Sequence, residues 1–424
     1  MFSTLRNAWK IPELRKKLIF TLIVLLIYRL GSCVPVPYVN IDLLAETFRL
    51  RFADTVLGLY NAMSGSAFSQ ATVFALGIQP YINASIIIEL LTIAIPALER
   101  LAKEGGEEGR KKIKNITRYS TVGLGLLMGF AYFIMLKNYN LLNEGQTGFL
   151  YGLVIVLTFT AGASFLMWMG EQIDEFGIGN GISMILFAGI VSRIPSLVTN
   201  LFSMKWYVSV LLVVGILAIV VFIVFITDSE RRIPVQYAKR VVGRKMYGGQ
   251  NTHLPIKVNM SGVLPIIFAQ SIASLPATIV AFTGTGSSGF WNWMNTYVFD
   301  TKSVVYMVCY FLLIIAFSYF YATIQFNPIE IANNLKKNGG FIPGFRPGKP
   351  TSDFILKVIN KITLFGALYL AIIALLPIIV GTILGNNSLG IGGTSVIIVV
   401  GVALETVKAM EAQMLMRHYK GFLE

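Results

Sequence analysis

Residues 208–227 read VSVLLVVGILAIVVFIVFIT, and this run decides the fold class. It carries no charge and has the length of about 20 residues that an α-helix needs to cross bilayer hydrocarbon. Comparable windows recur along the chain at 18–35, 73–96, 119–137, 149–169, 182–201, 262–283, 304–325, 362–382 and 393–410. With 207–227 they make ten. Composition agrees: 55 % of the 424 residues are hydrophobic and 13 % charged, where a soluble chain carries about 25 % charged residues. Mean hydropathy is +0.69. Long unalternating runs exclude an outer-membrane barrel. The expectation is an all-α integral membrane protein of ten transmembrane helices.

The first window begins like a signal peptide, with Arg15, Lys16 and Lys17 ahead of LIFTLIVLLIYRLGSC. Arg29 interrupts it and nine spans follow, so it reads as the first transmembrane helix, with Arg29 snorkelling to the interface.

Lys and Arg total 35, for a net charge of +14. With the N-terminus inside, the inside segments hold five, seven, seven, six and three of them, 28 in all. Six lie outside: Arg49, Arg51, Lys137, Arg193, Lys205 and Lys302. This alternation supports ten spans with both termini in the cytoplasm. Ten spans divide into two halves of five, 1–201 and 207–424, which an odd count makes inverted relative to each other. The halves show no clear residue-level self-similarity. Cytoplasmic loops are expected at 228–261 and 326–361.

Two segments break the pattern. TVLGLYNAMSGSAFSQA, 55–71, is too short and too rich in Ser and Gly to span. It reads as a re-entrant half-helix or as an interfacial loop; irregular backbone at membrane depth is tolerated only inside protein or beside water. RRIPVQYAKRVVGRKMYGGQNTHLPIKVN, 231–259, is basic and alternating, with GRKMYGG as the turn of a β-hairpin.

Chemistry-bearing groups are scarce inside the spans. Glu89 is the clearest acid within one, and Glu405 lies towards the inner end of the last. Glu171, Asp174 and Glu175 are expected in a cytoplasmic turn. Cys33 and Cys309 have no metal-ligand neighbours, and His253 and His418 fall outside the apolar windows. No Ser/His/Asp set, HExxH or P-loop is present, so nothing supports an enzyme and no cofactor is implied. Instead, aliphatic residues sit beside backbone-breaking ones. Ile78 and Ile82 follow Gly77 and flank Pro80; Ile182 and Leu186 follow a Gly-rich turn; Ile267 follows Pro265; Ile398 follows two glycines. By themselves these are ordinary packing or lipid-facing residues.

Six stretches, in order, resemble the SecY family of protein-translocation channels over essentially the whole chain: FALGIQPYINASIII, GIGNGIS, RRIPVQYAKR, THLPIKVNMSGVLPIIFA, FNPIEIANNLKKNGGFIPGFRPG and GGTSVIIVV. The resemblance implies a passive pore for secretory polypeptides. Its mid-membrane ring would be Ile78, Ile82, Ile182, Leu186, Ile267 and Ile398, with Leu186 a mild departure from isoleucine. A ring without hydrogen-bonding groups can dewet and resist ions. Segment 55–71 would be the plug that blocks the external funnel. A lateral gate would open between spans two and three and spans seven and eight, with Asn83 and Gln270 as polar residues on its helices; Gln270 bonding only within its bundle stays open. Glu89 stands where the family commonly has glutamine. The basic arm would dock the ribosome and the SecA motor through Arg231, Arg232, Lys239, Arg240, Arg244 and Lys245, with Arg346 in the next loop. Lipid headgroups are the alternative occupants. SecE and often SecG are implied as small membrane partners, with signal sequences and nascent chains as substrates and the bacterial inner membrane as location. A solute transporter using Glu89 and an insertase without a pore are the competing classes.

Overall fold

The computed structural model describes residues 2–420, apart from 53–55, 144, 146–147, 203–204, 238–239, 243–244, 248–250, 261, 284–302 and 385–391. Helix occupies all ten windows. α1 (Phe2–Lys10) precedes α2 (Pro12–Gly31), whose proline sits in the first turn, where a missing N–H is harmless. Then come α3 (Ile41–Thr47), a π-turn at Phe48–Phe52, α4 (Val56–Met63), α5 (Gln79–Ala94) and α6 (Pro96–Lys103). α7 (Gly106–Asn138), α8 (Phe149–Phe176), α9 (Gly181–Val191), α10 (Ile194–Phe202) and α11 (Trp206–Asp228) follow. After a small sheet come α12 (Leu264–Thr283), α13 (Val304–Gln325), α14 (Pro328–Lys337), α15 (Lys349–Leu384) and α16 (Gly392–Lys420).

Among the described residues, α7, α8, α11, α13 run together with α14, and α15 are long and apolar enough to cross a membrane unaided. The bent pair α5–α6 makes a sixth; its helices meet at 105°. The cause is Pro96, which forces Ile95 into extended backbone (φ −107°, ψ 112°). Only 11 % of the apolar window of α11 is buried, so this helix is exposed on nearly every side.

Three boundaries differ from the sequence expectation. The second window opens at 73, but helix begins only at Gln79, because 64–78 is taken up in hydrogen-bonded turns. The fifth window breaks at Ser192 and Arg193, and α10 restarts with Pro195 in its first turn. Glu171, Asp174 and Glu175, expected in a turn, lie in the last turns of α8.

Glu171 is 5 % exposed and ties α8 to α7. Arg118 Nε donates to its Oε1 at 3.0 Å and Arg118 Nη2 to its Oε2 at 2.5 Å, with Lys114 Nζ 3.6 Å away. A bidentate guanidinium is what makes a buried carboxylate tolerable.

The basic insert is strand-forming, as the sequence expects, but Lys245–Tyr247 of the expected GRKMYGG turn are themselves strand. β1 (Glu230–Tyr237) pairs antiparallel with β4 (Asn251–Lys257), in register from Glu230 opposite Lys257 to Gln236 opposite Asn251. β2 (Arg240–Val242) and β3 (Lys245–Tyr247) pair at its tip. A third strand comes from elsewhere: β5 (Gly340–Phe341) pairs with the outer edge of β1. Alternation along β1 turns Ile233 and Val235 inward, where with Ile256 they meet Leu335, Ile342, Ile355 and Ile359. The two loops therefore share one small core beyond the end of the bundle.

Two outcomes are expected. Ile233→Asp places a carboxylate in that core and costs about 3–4 kcal/mol; limited proteolysis should then cut within 238–250 while helical content is kept. Arg118→Ala strands Glu171 and costs about 3 kcal/mol, whereas Arg118→Met with Glu171→Gln recovers at least about half; thermal unfolding in detergent measures both.

Candidate pore constriction, plug and gate

The six residues expected to form the ring come from four segments of the chain, two in each half, and share one extended apolar cluster. Ile78 precedes α5, with Gly77 at φ +56° turning the chain into it. The Ile82 N–H donates to the Ile78 carbonyl at 3.1 Å, so the two lie one turn apart on one face. In α9, Asn180 caps the helix by accepting from the Ser183 N–H at 3.1 Å, and Asp174 Oδ1 accepts from the Gly181 N–H at 2.7 Å. Gly181 lies so close to the Gly170 carbonyl that a Cβ would fall 2.0 Å from it, which is the steric content of GIGNGIS. This seats Ile182 and Leu186. Ile267 lies in the first turn of α12, and Ile398 early in α16. Ile78, Ile82, Leu186, Ile267 and Ile398 are buried in one apolar cluster that spans both halves, and Ile182 packs against it half-buried.

Segment 55–71 contributes α4 from Val56 onward; position 55 lies outside the described residues. Leu57, Tyr60, Ala62 and Met63 are buried, so the segment packs inside the protein. The turns that follow hang on side chains. The Tyr132 hydroxyl donates to the Phe68 carbonyl at 2.6 Å, the Tyr60 hydroxyl to the Leu76 carbonyl, and Asn61 Oδ1 accepts from the Ser69 N–H at 2.9 Å. Edge-to-face rings of Phe48, Phe68, Tyr60, Tyr132 and Phe159 fill the space around them. Met63 joins the ring cluster. The void left between Tyr60, Met63, Ile78 and Leu186 is about 10 Å³, at most one water. α4 meets α9 at Gly189, where a Cβ would come within 2.4 Å of the Met63 carbonyl.

On the other side of the ring a cavity of about 310 Å³ opens towards the sheet end, from Ile267 past Asn180, Tyr321 and Gln325 to Lys257, Glu405 and Lys408. It is mixed in polarity, unlike the ring.

α12 packs on α4, α5 and α7 across the seam between the halves. Asn83 and Gln270 are both buried there, and Gln270 Oε1 has no hydrogen-bond partner. The hydrogen bond that joins α5 to α12 uses their neighbours: Ser271 Oγ donates to Gln79 Oε1 at 3.1 Å. Sequence reading passed over Gln79 and Ser271, although a glutamine beside a ring isoleucine is itself a signal. Nothing local marks Tyr60 or Tyr132, whose partners lie 16 and 64 residues away.

Of the residues expected to dock a partner, Arg231 and Arg232 are exposed on β1, and Arg232 Nε lies 2.7 Å from Glu230 Oε1. Arg240 and Lys245 belong to β2 and β3, while Lys239 and Arg244 lie outside the described residues. Arg346 is exposed on a turn held by the Phe345–Phe354 stack and by Thr351 Oγ1, which donates to the Arg346 carbonyl at 2.8 Å. Among the described residues no cluster of His, Cys, Asp or Glu could hold a metal ion.

The fold is shared with solved structures. One described as "The structure of a protein conducting channel" aligns over 97 % of both chains with TM-score 0.66 and 19 % identity. Sec61 in the canine ribosome-channel complex aligns over 97 % of both with TM-score 0.63 and 17 % identity. In sequence, the chain is 44 % identical to the protein translocase subunit SecY of Bacillus subtilis (strain 168), over all of both proteins. It is 43 % identical to that of Streptomyces scabiei, again over all of both. It is 40 % identical to that of Thermotoga maritima, over 100 % of this chain and 98 % of the relative. The SecY family model matches residues 72–407, and the chain belongs to the SecY family.

Proposed function

We infer that this chain is the channel-forming subunit of a protein translocase, a passive pore through which secretory polypeptides cross the membrane. The observation that carries the reading is that six aliphatic side chains from both halves share one apolar cluster, against which Met63 of α4 packs and beside which a mixed-polarity cavity opens at Ile267. An apolar constriction makes no demand on the side chains that pass and resists ions when closed. Full-length relatives named as protein translocase subunits support it. No residue of the chain supplies energy in this reading; a partner does, either the SecA motor or a translating ribosome.

The two halves, 1–201 and 207–424, part along the seam of α5 and α7 with α12 and α13, and apolar segments leave sideways into lipid there. Asn83 and Gln270 belong to that gate together with Gln79 and Ser271. One hydrogen bond between membrane helices contributes about 0.6–2 kcal/mol, enough to favour closure without preventing opening.

The sheet end is the cytoplasmic face of a bacterial inner membrane, with both termini on that side. Arg231, Arg232, Lys239, Arg240, Arg244, Lys245 and Arg346 meet ribosomal RNA phosphates or the motor, and SecE and SecG are the small membrane partners. Solved ribosome-bound Sec61 and Ssh1 complexes share the fold, which supports a ribosome as partner.

Photo-reactive residues placed at Ile82, Ile182, Ile267 and Ile398 test the pore directly, with a secretory chain stalled in transit. All four are expected to attach to it; attachment only at lipid-facing positions of α12 and α13 means that substrates bypass the centre. Gly189→Val pushes α4 off α9 at a strain of about 1–3 kcal/mol and is expected to raise resting ion conductance of reconstituted vesicles about tenfold. Replacing Arg231, Arg232 and Arg346 together by Ala should lower the salt slope of ribosome binding by about two; an unchanged slope removes these arginines from the interface.

A further inference from the structure

α4 is eight residues long and packs on α9 and α12, one from each half. The chain that leaves it is fixed at its far end. The Val36 N–H donates to the Ala71 carbonyl and the Val73 N–H to the Val34 carbonyl, both at 2.9 Å, so 71–73 is pinned to the loop after α2. Between α4 and that pin the backbone is strained. Ser66 and Ala71 stand at φ +72° and +43°, in the left-handed region that residues with a Cβ enter at a cost. Such a conformation persists only where its surroundings over-determine it.

Phe68 lies between the two strained residues, and Tyr132 of α7 holds it twice. The two rings meet edge to face at 4.7 Å, and the Tyr132 hydroxyl donates to the Phe68 carbonyl at 2.6 Å. The same carbonyl accepts from the Ala71 N–H at 3.2 Å, so one oxygen closes the turn on itself and fastens it to α7. Tyr132 is fully enclosed, and Phe159 of α8 backs its ring at 4.8 Å, so its place is set independently of the turn. The other ties differ. Tyr60 and Asn61 belong to α4 and travel with it, and Tyr28 of α2 reaches the Ser64 carbonyl only at 3.4 Å. Among the described residues, Tyr132 therefore makes the closest side-chain hydrogen bond to 64–71 from outside the segment.

We propose that Tyr132 is a positioning residue for α4: by holding the strained turn at Phe68 it keeps α4 seated against the ring, and so sets how strong a signal segment must be before the pore opens. Without the hydroxyl the turn relaxes towards ordinary backbone and α4 loses the base that aims it. One buried hydrogen bond shifts a balance of this kind about fivefold. This rests on the reading of 55–71 as a plug, and the test separates the two.

Translocation-competent vesicles carrying Tyr132→Phe or the unaltered chain are compared in two ways: resting ion conductance, and translocation of a precursor whose signal segment has a charge placed in its apolar core. The variant keeps the ring and removes only the hydroxyl, and both quantities should rise about fivefold. A gain of transport is a readout that loss of stability does not produce. If either quantity fails to rise, the proposal falls, whatever the unfolding temperature does, and Tyr132 is a packing residue. Para-aminophenylalanine at position 132 restores a donor in the same place and should bring both quantities back within about twofold; a leak that persists belongs to the ring and overturns the proposal as well. Gly189→Val reads the plug by itself, because it moves α4 at α9 and leaves Tyr132 untouched. If it leaks while Tyr132→Phe does not, the plug stands and the proposal falls; if neither leaks, both fall.

Discussion

A chain that lets polypeptide through a membrane must hold irregular backbone at membrane depth, where lipid offers no hydrogen bonds. The rest of this structure depends on how that backbone is satisfied. Residues 64–78 contain no helix; their backbone groups are met by turns of their own, by the backbone of Val34 and Val36, and by the side chains of Tyr28, Tyr60, Asn61 and Tyr132. These side chains come from three separate helices, so the segment is held only when α2, α4 and α7 are packed together. The aromatic cluster around it excludes both water and lipid.

The ring inherits its position from that arrangement. Gly77 turns the plug segment into α5 and sets Ile78 and Ile82, and Gly189 lets α4 lie directly on α9, which carries Ile182 and Leu186. At Gly189 the missing side chain lets backbones approach, whereas Gly77 is needed for its left-handed φ. The contrast between an apolar ring and a mixed-polarity cavity then follows from which residues each helix brings to its first turn. α12 contributes Ile267 to both.

Outside the bundle the logic is that of a soluble protein. The hairpin of 230–257 was legible because strict alternation and a Gly-containing turn are local signals. Its third strand was not: Gly340 and Phe341 carry no strand pattern of their own, and they pair with Gln236 and Tyr237 only because α14 returns the chain there. The short core of Ile233, Val235, Ile256, Leu335 and Ile359 therefore makes one unit of two loops that read as independent.

Hydrophobic length, charge asymmetry and breaker residues determined by themselves that this is an all-α membrane protein with a basic arm. Each is a property of a window of neighbours, and the ring positions were reachable through motifs of that kind. What only the tertiary structure decided are the pairings between distant windows: Glu171 with Arg118, Ser271 with Gln79, Tyr132 with Phe68 and Met410 with Ala8. A buried polar group needs a partner, but nothing in its own turn of helix says which distant one will satisfy it. That choice is made by packing, when apolar faces that look alike in sequence find the shapes that fit.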